Sequence, residues 1–107
     1  MNPADRDCSG GEPYALRVIG HSMSPEFDEG DIVIVERDGA LRDGCYVIAR
    51  LDDGFTLRQL VRDGEAWVLR ALNPAFTQRQ SVALESVHGL VIQKSVPGRR
   101  RLTKRYV

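Results

Sequence analysis

The chain has 107 residues, which is enough for one domain with a single hydrophobic core. Its 15 basic side chains balance its 15 acidic ones, and no apolar run is long enough to cross a membrane. This composition argues against a membrane-spanning protein and against one attracted to nucleic acid by net charge.

Changes in composition along the chain predict three parts. Residues 1–13 are polar and contain several Gly and Pro, which is typical of a flexible arm rather than a signal peptide, so we expect a cytoplasmic location. Residues 14–97 are predicted to be the domain itself. Residues 98–107 are rich in arginine and are predicted to be a solvated basic tail.

Short apolar runs separated by Gly, Asp and Asn predict an all-β fold. In chain order, the predicted strands are 14–19, 31–36, 45–51, 55–61, 65–71 and 87–95. Asp52-Asp53-Gly54 and Asp63-Gly64 are typical of hairpin turns. In the third strand, alternation predicts that Cys45, Val47, Ala49 and Leu51 share one face.

Two smaller features complete the predicted secondary structure. Gly89 lies inside the last predicted strand, where a glycine indicates a bulge or a close approach of another chain segment. No amphipathic helix is predicted, only a short turn at 24–28.

Cysteines and histidines give no sign of a metal or other cofactor. Cys8 and Cys45 are expected to be free thiols. No Cys/His pair has the spacing of metal ligands, and His21 and His88 are far apart in the sequence. We therefore predict no metal site and no cofactor.

The most informative segment is Gly20-His21-Ser22-Met23-Ser24-Pro25, because it places a serine in a tight turn before the apolar strand 31–36. A serine hydroxyl is a poor nucleophile until a base takes its proton. His21 is adjacent to Ser22, so on an extended chain the two side chains point in opposite directions. The pattern therefore favours a Ser-Lys pair, with the lysine on a neighbouring strand.

Residues around this serine have simpler predicted roles. Met23 is expected to pack in the core and Pro25 to hold the turn. Gly30 is expected to supply a turn geometry, and Asp31 to accept hydrogen bonds from backbone N–H groups.

The segment resembles the nucleophile box of the S24 peptidase family, which includes the self-cleaving C-terminal domains of LexA, of phage CI-type repressors and of UmuD-type proteins; signal peptidases carry a related box. The likeness continues through 47–53, 56–60, 73–76 and 87–92. It implies a compact all-β domain of bent antiparallel sheets that forms a homodimer. It also implies that Ser22 occupies the nucleophile position, with His21, Met23 and Pro25 shaping the turn and an oxyanion pocket.

Arg58 stands at the position that, by this resemblance, belongs to the lysine base. A buried lysine can lose its charge, whereas an arginine, whose ordinary pKa lies far above 7, is neutral at pH 7 in about one molecule in a million, a penalty of roughly 8 kcal/mol. Arg58 has three possible partners: the Ser22 hydroxyl, a carboxylate, or solvent. Lys94 and Lys104, the only lysines, do not match the position of the base.

Three functions follow as alternatives. The first is a domain without efficient peptidase activity that acts in dimerisation or in binding a protein partner, in a DNA-damage (SOS) or phage-type regulatory setting. The second is an active serine peptidase with Ser22 as nucleophile and an unusual base; self-processing is not expected, because the chain contains no Ala-Gly dipeptide. The third is a nucleic-acid-associated accessory that uses the basic tail, which is less favoured because no aromatic platform accompanies the charge.

Overall fold

One antiparallel sheet of eight strands forms the framework of the protein. The computed structural model describes residues 12–51, 54–76 and 79–106. The strands are β1 (Tyr14–Arg17), β2 (Ile32–Glu36), β3 (Tyr46–Leu51), β4 (Gly54–Asp63), β5 (Ala66–Arg70), β6 (Arg79–Val82), β7 (Val87–Val96) and β8 (Arg99–Arg105), with a short 3-10 helix at Leu84–Ser86. The predicted fold class, all-β with antiparallel strands, is confirmed.

Strand β7 pairs with three other strands of the sheet. The order is β1-β2-β7-β3-β4-β5-β6, and β8 pairs with the end of β7 beyond β3. The ladders of β7 with β2 and with β3 each contain a register shift. Bulges of this kind bend a strand and increase its twist.

Gly89 lies at one of these shifts, opposite Ile48 of β3. A Cβ atom placed on Gly89 would come within 2.3 Å of Cγ1 of Val35. The close approach predicted for this glycine is therefore confirmed, since a larger residue here would force the Val35 side chain or its strand to shift.

The hydrophobic core consists of two clusters that share β3. Ile48 belongs to the first cluster, whereas Val47 and Ala49 belong to the second. Cys45 and Leu51 pack against the second cluster, as the predicted alternation requires. The first cluster contains the buried residues Val18, Met23, Phe27, Val33, Val35, Ile48 and Val91. Because Met23 is the next residue after Ser22 and Phe27 lies five residues after it, the first cluster anchors the candidate site.

The structure differs from the sequence analysis at two strands. The residues of β6 were not predicted as a strand, and β8 falls in the segment predicted to be a solvated tail. Residues 99–105 instead pair with β7, which offers a free backbone edge beyond β3. The boundaries proposed for the domain remain a prediction, and the predicted arm up to residue 11 and the Asp52-Asp53 turn lie outside the described residues.

The described part of the chain contains no helix that is long and apolar enough to cross a membrane.

Candidate functional site

Ser22 lies in the connection between β1 and β2, residues 18–31, here called the serine loop. Backbone hydrogen bonds from Val18 to Asp31 (2.8 Å) and from Gly30 to Val18 (2.9 Å) close the base of this loop. Gly30 has a φ angle of +96°, in the left-handed region that favours glycine. Asp31 is buried and accepts a hydrogen bond from the Asp28 N–H (2.9 Å). Hydrogen bonds within the serine loop therefore stabilise its conformation.

The residues that follow Ser22 form a hydrogen-bonded turn, in which the Phe27 N–H donates to the Met23 carbonyl at 2.9 Å. The side chain of Met23 is 2% exposed and that of Phe27 is fully buried. The ring of Phe27 packs against Tyr46 and Tyr106, at centroid distances of 4.9 and 5.5 Å. These contacts fix one side of the turn to the first core cluster.

Asn73 holds the other side of the turn. Its Nδ2 donates to the His21 carbonyl at 2.9 Å, and its backbone N–H donates to the Ser22 carbonyl at 3.0 Å. In the sequence, Asn73 belongs to the segment 73–76 that resembles the S24 family, and no role was predicted for it. An asparagine can donate from its side-chain amide and from its backbone N–H to two successive carbonyls, but the sequence does not indicate which carbonyls it will meet.

Arg58, on β4, reaches the Ser22 hydroxyl. Its Nη1 donates to Ser22 Oγ at 2.9 Å and to the Leu57 carbonyl at 2.8 Å. The side chain is half-buried, and burial lowers the pKa of the guanidinium. Among the described residues Arg58 has no carboxylate partner, so the first of its three predicted alternatives is the one observed.

Both histidines are directed elsewhere. The ring of His21 is exposed and lies 3.8 Å from the Glu29 carboxylate. The ring of His88 packs edge-on against Phe55 at a centroid distance of 4.9 Å. Of the side chains that the structure describes, Arg58 is the one hydrogen-bonded to Ser22 Oγ. No cluster of metal ligands is found within the described residues.

A cleft of about 220 Å³ opens beside Ser22 and Arg58. Its walls come from the end of β1 and the residues after it, from β4, and from the core beneath the serine loop. Ile19 and Phe55 line the cleft while remaining 82% and 62% exposed. These two residues were not predicted as part of a site, since no periodic pattern distinguishes an apolar cleft wall from an ordinary exposed side chain.

Glu26 joins the serine loop to the C-terminal strand. Its carboxylate accepts hydrogen bonds from Tyr106 OH (2.6 Å) and Lys104 Nζ (2.9 Å), and its backbone carbonyl accepts one from Lys94 Nζ. Burial raises the pKa of the Glu26 carboxyl, but these hydrogen bonds and the charges of Lys104 and Lys94 outweigh it, so the pKa is lowered from 4.5. The two lysines are thus bound to Glu26 and not to Ser22.

The Glu26 contacts predict a pH-dependent contribution to stability. Because the folded-state pKa is lowered, this contribution is present above the unfolded value of 4.5 and is lost as the pH falls through the folded value. Glu26→Gln should therefore lower the free energy of unfolding by about 1 kcal/mol near pH 6.5 and by less near pH 3. Urea unfolding at the two pH values measures this difference, and an equal loss at both would contradict it.

Comparison with known proteins identifies the family to which the chain belongs. The family model described as Peptidase S24-like matches residues 3–92. The chain belongs to the S24-like peptidase family. The predicted resemblance is therefore confirmed.

Individual members of the S24-like family are repressors and transcriptional regulators by name. The chain is 40% identical over 76 residues to the LexA repressor of Vibrio atlanticus, covering 70% of this chain and 36% of the relative. It is 37% identical over 84 residues to the LexA repressor of an Azoarcus species, covering 74% and 41%. It is 40% identical over 70 residues to an HTH-type transcriptional regulator for the conjugative element SXT of Vibrio cholerae, covering 59% and 33%. The chain therefore spans 33% to 41% of the length of these S24-like relatives.

Proposed function

We propose that this S24-like domain is impaired in peptide hydrolysis and acts in dimerisation or in binding a protein partner. In this proposal Ser22 occupies the nucleophile position and Arg58 the position of the lysine base. The observation that supports it most directly is the 2.9 Å hydrogen bond from Arg58 Nη1 to Ser22 Oγ. The group that is hydrogen-bonded to the hydroxyl oxygen is therefore a donor.

A base must accept the hydroxyl proton, and a charged guanidinium has no lone pair with which to accept it. Burial lowers the pKa of Arg58, but the ordinary value lies above about 12, so the charged form dominates at neutral pH. Neither imidazole and neither lysine is hydrogen-bonded to the hydroxyl. The active-peptidase alternative therefore needs a base that has to move into the site.

Family membership supports the roles of dimerisation and partner binding, because S24 domains are expected to pair through this fold. The names of the relatives, repressor and transcriptional regulator, favour a regulatory setting of that kind, including the SOS response named above. The nucleic-acid alternative is weakened by the position of the basic strand. Lys104 is bound to Glu26, and Arg105 donates to Gln93 at 3.1 Å, so these two charges are partly used within the chain.

Covalent labelling tests the loss of activity. The unaltered protein and the Ser22→Ala variant are incubated with a serine-directed fluorophosphonate, and adducts are measured by intact-protein mass spectrometry. We expect little or no adduct on either protein. Rapid labelling of the unaltered chain that is absent from Ser22→Ala would overturn the proposed impairment.

Sedimentation equilibrium tests the association. We expect a mass of twice 12.0 kDa at micromolar concentrations of the chain. A monomer mass at every concentration would contradict the proposed dimerisation. The proposed role would then be the binding of a protein partner alone.

A further inference from the structure

The cleft beside Ser22 carries positive charge without a matching negative charge. Arg17 and Arg58 both line it, and none of its lining residues is acidic. Neither arginine forms an ion pair with a carboxylate of the described residues. Apart from Ser22 and Thr56, the other residues of the cleft are apolar: Leu16, Val18, Ile19, Met23, Val33, Ile48, Phe55 and Leu57.

Arg58 still has donors to offer. Its two hydrogen bonds within the described chain both use Nη1, whereas a guanidinium has five N–H groups. Among the described residues, Nε and Nη2 of Arg58 have no hydrogen-bond partner, and no side-chain nitrogen there is buried without one, so these two donors are at least partly exposed. Two adjacent accessible N–H groups on a planar guanidinium match the two oxygens of a carboxylate.

We propose that the cleft binds the C-terminal end of a peptide, with the terminal carboxylate held by Arg58 and the Ser22 hydroxyl. This inference rests on the proposed function, because it requires a charged Arg58 that binds rather than a base that reacts. It names the partner class: an unstructured protein segment that ends in apolar residues. The partner forms no covalent bond with the chain.

The shape of the cleft favours a chain terminus over an acidic side chain. At about 220 Å³ it is smaller than the roughly 300–1,000 Å³ of sites for drug-sized ligands, which suits the last one or two residues of a peptide. A terminal residue presents its carboxylate to Arg58 and its apolar side chain to Ile19 and Phe55 at the same time. An aspartate side chain would bring the charge without filling the apolar walls.

Backbone edges are also available for an extended peptide. β1 pairs with β2 alone among the described strands, and residues 55–58 of β4 pair with β3 but not with β5. Both segments contribute to the cleft. Unpaired strand edges bind extended peptides through main-chain hydrogen bonds, with side-chain pockets adding specificity.

Nuclear magnetic resonance titration of the full chain tests the inference with three defined peptides. The first is acetyl-Gly-Ala-Leu-Val with a free carboxylate, the second is the same peptide with a C-terminal amide, and the third is acetyl-Gly-Asp-Leu-Val with a C-terminal amide. We expect the acid to bind at least about tenfold more tightly than either amide, as a charge-assisted hydrogen bond predicts. Its shifts should map to residues of the cleft.

Two variants on the same strand provide the control. Arg58→Gln should reduce the affinity of the acid to that of the amide, whereas Arg62→Gln, which removes an arginine that stacks on Trp67 outside the cleft, should leave the preference unchanged. Equal affinity for the acid and its amide in the unaltered chain, including no measurable binding of either, would overturn the inference. Tighter binding of the aspartate peptide than of the acid would also overturn it.

Failure of this inference and failure of the proposed function give different results. If the acid preference is absent while Ser22 stays unlabelled by the fluorophosphonate, the carboxylate site is wrong and the impairment stands. If Ser22 is labelled rapidly while the acid still binds through Arg58, the impairment is wrong and the carboxylate site stands.

Discussion

Replacing Arg58 by lysine is expected to increase the rate at which Ser22 reacts with a fluorophosphonate by about 10²- to 10⁴-fold, the range contributed by a positioned general base. The lysine side chain starts from the same place on β4, beside the Ser22 hydroxyl. Unlike the guanidinium, an amine that is partly removed from water can lose its proton and then accept the one from serine. Intact-protein mass spectrometry at several incubation times gives the rate.

Three controls separate a restored base from a loosened site. Arg58→Gln removes the charge without supplying a base, so its labelling should stay slow. The double variant Arg58→Lys, Ser22→Ala should give no adduct. The rate for Arg58→Lys should rise with pH as the ammonium loses its proton. A labelling rate no higher for Arg58→Lys than for Arg58→Gln would show that the arginine is not what silences Ser22.

Truncating Phe27 is expected to have the largest effect on stability. Phe27 is fully buried in the first core cluster and is surrounded by Tyr46, Tyr106 and Lys94. Phe27→Ala should lower the free energy of unfolding by about 3–5 kcal/mol, since it removes transfer energy and leaves a cavity. That is a large part of the roughly 5–15 kcal/mol that stabilises a typical domain.

Phe76→Ala makes a matched control, because the same truncation is applied to a ring that is 44% exposed. Its effect on urea unfolding should be within about 1 kcal/mol. Equal losses from Phe27→Ala and Phe76→Ala would contradict the anchoring role assigned to Phe27. In the Phe27→Ala protein, backbone N–H groups of the serine loop should lose their protection from hydrogen exchange before those of the sheet, because Phe27 packs the loop against the core.

Much of the sheet could be predicted because its strands carry local signals. In β3, alternation predicted that Cys45, Val47, Ala49 and Leu51 share one face, and the structure places all four at the second cluster. The Asp63-Gly64 turn between β4 and β5 was likewise predicted from residue type alone, and Gly64 has a φ angle of +65°. Such features depend on neighbours in the sequence, so a single sequence is enough to find them.

The two strands that were not predicted, β6 and β8, lack such local sequence signals. β8 contains Arg99-Arg100-Arg101 and a single large apolar residue, Leu102, which is 46% exposed. It forms because β7 extends past β3 and leaves backbone groups to pair, and because Lys104 and Tyr106 reach Glu26. Glu26 and Tyr106 are 80 residues apart, and no local pattern records such a contact.

The sequence around Ser22 was enough by itself to identify the family. Arg58 was enough to pose the chemical problem of the site, because an arginine cannot readily give up its proton wherever the fold places it. Only the tertiary structure decided that Arg58 meets Ser22, that the histidines and lysines have other partners, and that an apolar cleft with accessible guanidinium donors lies beside them. These facts depend on how β1, β4 and the serine loop approach one another across the bent sheet. That approach is set by packing between segments distant in the chain, on which local sequence patterns carry no information.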